Sequence, residues 1–248
     1  MKRVCLLTGA SGRLGRTFCR MYVQEYDIAG VYCKSPSVFE TQGQRRLDPL
    51  NPDHTGCGEG DGIFAIRANL ADERDLERVV ELALARFRRV DLLVNAAVHS
   101  RWGRVLESDQ ILREAELQFQ LNAVVPLRLS VLVGRHFWRD RDRENRAFNR
   151  HIVNVSSTAG HIAYPESGQS VYAASKAALN MLTWHMSDEF RTLGVRVNAI
   201  APNSFPGLLP TEDVARAIVN LDRGTCNGTI IALDPHPVPL NRIIPGQL

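Results

Sequence analysis

Val4-Cys5-Leu6-Leu7-Thr8-Gly9-Ala10-Ser11-Gly12-Arg13-Leu14-Gly15 joins a short apolar run to a glycine-rich turn near the start of the chain, and a helical pattern over Arg16 to Glu25 follows. Glycines at such a junction let the backbone turn tightly and come close to a pyrophosphate, which the free amides of the next helix can receive. A glycine turn alone also serves as a plain tight turn, so its place in the wider pattern decides. Working outward, apolar runs recur at Ile28 to Tyr32, Ile63 to Ala68, Leu92 to Asn95, Ile152 to Ser156, Val195 to Ala201 and Thr229 to Leu233. Helical spacing lies between them. Leu76, Val79, Val80, Ala83 and Phe87 repeat at three and four residues, with Asp72, Glu73 and Asp75 biasing the first turn toward a helix start. Strand and helix alternate from end to end, which predicts an α/β fold: a Rossmann-type doubly wound parallel sheet of about seven strands with helices on both faces. Ligands of such sheets bind at the carboxyl ends of the strands.

Two segments break the rhythm. Ser35 to Gly62 holds Pro36, Pro49, Pro52 and five glycines, so a long loop is expected in place of a crossover helix. Trp138 to Arg150 interleaves five arginines with Asp140, Asp142 and Glu144, which reads as a charged surface excursion.

With 248 residues and 44% hydrophobic content, the chain can bury one large core, so residues 1–248 are expected to form a single dinucleotide-binding and catalytic domain. The formal charge of +3 is spread out and gives no reason to expect nucleic acid. Five cysteines with no close pairing read as reduced thiols, and His54 with Cys57 offers only half a metal site, so no metal is expected. The first apolar run, Val4 to Leu7, is too short for a signal peptide, and no uninterrupted apolar stretch approaches the roughly 18 residues of a membrane span. A cytoplasmic protein without membrane attachment is the expectation.

Tyr172-Ala173-Ala174-Ser175-Lys176 places a phenol one helical turn from an ammonium, and Ser156-Ser157 ends the apolar run before it. A phenol donates protons well but ionises reluctantly near neutral pH, and a neighbouring cation stabilises the phenolate left behind. The pair suits carbonyl reduction. At the end of the second apolar run, where an acidic residue would favour a free ribose 2′-hydroxyl, the chain has Lys34-Ser35. With Arg13 in the turn, these residues favour a 2′-phosphate and hence NADP(H) over NAD(H). Asn69-Leu70, after the third run, is placed near adenine.

Together these landmarks resemble the short-chain dehydrogenase/reductase family from Val4 to about Leu233, most closely its 3-oxoacyl-reductase-like branch. Its turn T-G-x-x-x-G-x-G is matched by Thr8, Gly9 and Gly15; Arg13 replaces the middle glycine and Gly12 stands one residue earlier. Its N-N-A-G appears as Asn95-Ala96-Ala97-Val98, and Asn122, Ser157, Tyr172 and Lys176 match its catalytic tetrad. The resemblance implies that Tyr172 protonates a carbonyl oxygen held by Ser157. Lys176 would bind the nicotinamide ribose and lower the Tyr172 pKa, and Asn122 would hold a water in a proton relay. It also implies cofactor contacts from Thr8, Gly9, Ser11, Gly12, Arg13, Leu14, Gly15, Lys34, Ser35, Asn69, Leu70, Asn95, Ala96, Ala97, Tyr172, Lys176 and Pro202. Substrate contacts fall to His99, Trp102, Ser157, His161 and Tyr164. The substrate would be a small-molecule or carrier-bound carbonyl compound, and the assembly a homodimer or homotetramer.

One departure stands out. Where the family carries a long lid after Val195 to Pro202, this chain has only Asn203 and Ser204 to Leu209 before a new helix, so an open site is expected. A proline-stiffened tail from Asp234 onward replaces the usual ending. Two other readings stay open: an NAD(H)-dependent alcohol dehydrogenase, and a cofactor-sensing protein with little turnover.

Overall fold

The strand-forming runs pair in the computed structural model as one parallel sheet, in the order β3-β2-β1-β4-β5-β6-β7. The structure describes residues 2–34 and 63–235. The strands are β1 (Arg3–Thr8), β2 (Tyr26–Tyr32), β3 (Ile63–Arg67), β4 (Leu92–Asn95), β5 (His151–Val155), β6 (Arg196–Pro202) and β7 (Ile230–Leu233). The expected Ser35 to Gly62 loop, with His54 and Cys57, and the tail from His236 lie outside the described residues.

Each inner strand is apolar on both faces because each face meets a helical layer. Leu6, Leu93, Ile152 and Val197 point into one core, which is closed by α2 (Glu73–Phe87), α5 (Val125–Val133) and α7 (Ser170–Arg191). Leu7, Val94, Val153 and Ile200 point into the other, closed by α1 (Arg13–Tyr22) and α8 (Thr211–Arg223). The order reverses at β1, whose neighbours are β2 and β4, and this switch point opens a crevice at the carboxyl ends of the strands.

Local signals explain most boundaries. Asp72 caps α2 by accepting a 2.9 Å bond from the Arg74 amide, as the acidic cluster suggested. Helix α1 begins at Arg13 rather than Arg16, because the Gly12 carbonyl already accepts from the Arg16 amide at 2.9 Å; the helix ends at Tyr22, short of Glu25. Between β4 and β5 run α3 (Asp109–Arg113), α4 (Ala115–Phe119), a π-helical turn at Gln120–Val124 and α5, followed by a second π-helical turn at Gly134–Trp138. By length and composition the helical stretch Ala115–Trp138 could cross a bilayer: its most apolar 18 residues have mean hydropathy 1.3, and half of those are buried inside the protein.

The reading of Trp138 to Arg150 as a charged surface excursion holds for residues 139–143 and 146–148, which are exposed, and needs correction at the segment's ends. Its middle forms the short helix α6 (Asp142–Ala147), but Trp138 and Arg150 at its ends are buried. The Trp138 indole donates to the Val90 carbonyl at 2.9 Å. The Arg150 guanidinium lies 4.4 Å from the Phe137 ring centroid and pairs with Asp91 and Glu144. Partners supplied from elsewhere in the fold let an arginine leave water.

Candidate active site

A cleft of about 490 Å³ opens at the switch point, lined by Gly9, Ser11, Gly12, Lys34, Asn69, Leu70, Ala96 and Ala97 from the ends of β1 to β4. Its floor needs a glycine at position 9. That residue has φ +70°, and a Cβ there would sit 2.9 Å from the Ala96 carbonyl oxygen and the Ala97 amide. Helix α1 points its first amides toward this turn and has no side-chain cap, so they remain open to an anion. The pocket, the close-approach glycine and the uncapped helix suit a dinucleotide pyrophosphate. Arg13 is exposed at the helix start and Lys34 is exposed at the far lip, while Ser35 lies outside the described residues.

Several residues expected at the cofactor frame the cleft rather than line it. The Thr8 hydroxyl accepts from the Ala96 and Ala97 amides, each at 3.0 Å, and so bends the chain that follows β4. The Asn95 amide donates to Asn154 Oδ1 at 2.9 Å, binding β4 to β5, and Asn154 donates in turn to Thr183 on α7. Leu14 and Gly15 are buried in the first turn of α1, and Pro202 is buried at the end of β6. Asn69 does line the cleft, but both of its carbonyls serve the local turn: the backbone oxygen accepts from Asp72 at 2.9 Å and the side-chain oxygen from Ala71 at 3.2 Å.

Beyond the end of β5, Ser157 caps a 3-10 turn, Thr158–Gly160, by accepting from the Ala159 amide at 3.2 Å. Burial raises the Tyr172 pKa above its ordinary value, and the neighbouring Ser157 hydroxyl pulls it back. Lys176 is fully buried one turn along α7, where its ammonium donates to the Val155 carbonyl at 2.8 Å. Burial lowers its pKa to about 7. Its nitrogen lies 5.9 Å from the Tyr172 ring centroid. Burial is the largest influence on both groups, and it works against the charge of each.

Asn122 sits in the π-helical turn with no exposed surface. Its side-chain oxygen accepts from the His99 amide, and its two amide hydrogens go to the His99 carbonyl and the Ser175 hydroxyl, all at 2.9 Å. Ser175 donates to the Tyr172 carbonyl at 2.7 Å. The side chain thus clamps the segment after β4 to the turn of α7 that carries Tyr172, with both of its side-chain donors used in that clamp.

The expected substrate residues divide. Trp102 reaches Tyr172, with ring centroids 6.2 Å apart. His99 lines the dinucleotide cleft, and its Nε2 lies 2.7 Å from Glu114 Oε2. His161 turns to Asn180 at 3.1 Å, and the Tyr164 hydroxyl donates to Thr158 at 2.9 Å. Tyr164 and Gln169 border a second cleft of about 500 Å³. The connection after β6 is as short as expected: Asn203 is tied back to Leu233 and Asp234, and α8 begins at Thr211. The sequence reading missed Leu117 and Leu121 in the first cleft, and also Glu114 and Gln118, which bond His99 and Arg101. Polar residues at 114, 118 and 122 recur every four positions, a signal that was available in the spacing.

Residues 3–207 match the family model described as short chain dehydrogenase. The chain is 29% identical over 202 residues to the 3-oxoacyl-(acyl-carrier-protein) reductase FabG of Thermotoga maritima, spanning 81% of this chain and 73% of that protein. It is 28% identical over 225 residues to an acetoacetyl-CoA reductase of Allochromatium vinosum, spanning 89% and 83%. Among solved structures, a doubly substituted short-chain dehydrogenase/reductase of Serratia marcescens shares the fold with TM-score 0.75 at 23% identity, covering 94% of this chain and 96% of that one. A short chain dehydrogenase of Mycobacterium smegmatis does so with TM-score 0.74 at 22% identity, covering 96% and 93%. The match over most of the chain, on a seven-stranded parallel sheet with its cleft at the switch point, shows that the protein belongs to the short chain dehydrogenase family.

Proposed function

We propose that this protein is an NADP(H)-dependent oxidoreductase acting on a C=O/CH–OH group of a small-molecule or carrier-bound substrate, with Tyr172 as the general acid and base. The observation that carries this reading is the half-buried Tyr172 beside Ser157 and one helical turn from Lys176, on a turn of α7 linked through Ser175 and Asn122 to the wall of the switch-point cleft. The bound cofactor supplies or accepts the hydride. Gly9, Ser11 and Gly12 with the first amides of α1 would hold its pyrophosphate, and Arg13 and Lys34 would favour a 2′-phosphate.

Burial keeps the Tyr172 phenol protonated, ready to give its proton to a carbonyl oxygen. Ser157 then has two tasks. It orients that oxygen, and its hydrogen bond steadies the phenolate that remains. Relatives named as 3-oxoacyl and acetoacetyl-CoA reductases support a ketone as the reacting group.

The exposed apolar residues Met181 and Trp184 on α7, with Phe119 and Val124 on the adjoining helical stretch, suit packing against a second copy, and a dimer is part of the proposal. The test is Tyr172→Phe. NADPH affinity, read by cofactor fluorescence, is expected to hold while turnover of a carbonyl panel falls by about two to four decades. Near-normal reduction rates would refute the assignment. Tight NADPH binding by the unaltered protein without turnover of any carbonyl would favour a cofactor sensor.

A further inference from the structure

The segment after β4 has no regular secondary structure of its own, yet it is held at three successive points. Asn122 grips His99 through both backbone groups. Gln118 accepts from the Arg101 amide at 3.2 Å, and Glu114 meets His99 Nε2 at 2.7 Å and Arg101 Nε at 3.3 Å. Glu114, Gln118 and Asn122 recur every four residues, from the N-cap of α4 through α4 into the π-helical turn, and together they make all of these bonds. At the far end the Gly103 amide donates to the Gly168 carbonyl at 2.9 Å. Position 168 admits only glycine easily, because its φ is +66° and a Cβ would lie 2.9 Å from the Gly103 carbonyl carbon.

Between the pinned neighbours Arg101 and Gly103 stands Trp102. Its ring contacts Tyr172 at a tilt of 56°, and 56% of the residue remains exposed. A large apolar ring beside the proton donor, held by polar bonds yet half open to water, is an incomplete contact. Gly103 begins the second cleft, whose wall includes Val105, Ile162, Tyr164 and Ala173. The short connection after β6 is tied through Asn203 to Leu233 and Asp234 instead.

We propose that Trp102 is the specificity-determining residue of the carbonyl site, selecting substrates with a flat apolar group beside the carbonyl, and that Glu114 and Gln118 are positioning residues that hold it against Tyr172. The specificity role rests on the reductase reading above; the positioning role does not. A flat group covering the exposed indole would leave water as the aromatic pair forms, which favours such substrates without a lid.

The experiment compares aryl ketones with small aliphatic ketones, using NADPH, in the unaltered protein, Trp102→Ala, Glu114→Gln, Gln118→Met and the double variant Trp102→Ala/Gln118→Met. Trp102→Ala is expected to lower kcat/KM for aryl ketones roughly tenfold relative to aliphatic ones, the scale of one lost apolar contact. NADPH affinity should stay within about twofold. Glu114→Gln and Gln118→Met should shift the same ratio in the same direction, mainly through KM, and Gln118→Met should add nothing once Trp102 is gone. Acrylamide quenching of Trp102, taken as the difference between each protein and its Trp102→Phe counterpart, should increase in both positioning variants. An unchanged aryl-to-aliphatic ratio in Trp102→Ala would overturn the specificity role. Unchanged Trp102 quenching in both positioning variants would overturn the positioning role. Absence of carbonyl turnover in the unaltered protein would overturn the reductase reading and the specificity role together, while quenching still decides the positioning role.

Discussion

Lys176 carries an ammonium into a site with almost no exposure, and burial brings its pKa down to about 7. The unfolded chain would keep that proton up to the ordinary lysine range. The group's favourable contribution to stability is therefore complete above that range and is lost as pH falls through about 7. Relative to Lys176→Met, the unaltered protein should gain about 2 kcal/mol between pH 7 and pH 9 in urea unfolding. Parallel stability profiles would show that the ammonium is not desolvated. Tyr172, Ser157 and Lys176 were legible as a group because their spacing follows from one helix and one strand end. Their ionisation was not, because it depends on burial and on which carbonyl the ammonium finds. The side-chain bonds of Asn122 were hidden for the same reason: its partners lie 23 and 53 residues away in sequence.

Among the elements, α7 shows how much one helix can carry. One face holds Tyr172 and Lys176 at the site, while Met181 and Trp184 are exposed to solvent at 52% and 44%. If a second copy covers that surface, Trp184→Lys should shift the protein toward monomer in sedimentation velocity, since burying an unpaired ammonium in an apolar interface is costly. An unchanged sedimentation coefficient would place the interface elsewhere. Helix spacing and the acidic start of α2 were readable directly. The first turn of α1 was not, because the glycine turn and the helix share residues and only the Gly12-to-Arg16 backbone bond marks the change. Arg150, at the end of the charged segment from Trp138, misled for a different reason: charge density reads as solvation unless buried partners such as Asp91 are in view.

Across the whole molecule, chemistry collects at the carboxyl ends of the strands, and a second polar cluster lies at their opposite ends. There His151 is buried at the start of β5, accepts from Asn198 through Nε2 at 2.7 Å, and holds Nδ1 3.7 Å from Asp222, too far for a hydrogen bond. Burial lowers its pKa to about 4, so the stability it contributes is complete above the ordinary histidine value and is lost as pH falls through about 4. Between pH 7 and pH 4 the unaltered protein should lose about 3 kcal/mol more than His151→Gln in urea unfolding. Equal losses would mean that the imidazole is not held neutral. The sequence by itself determined the alternation of strands and helices, the glycine turn and the serine, tyrosine and lysine positions, because each is written in residues close together in the chain. Only the tertiary structure decided which of the expected residues face the cleft, which frame it, and what holds Trp102 against Tyr172. Those outcomes depend on contacts between distant segments, whose geometry and desolvation no local pattern encodes.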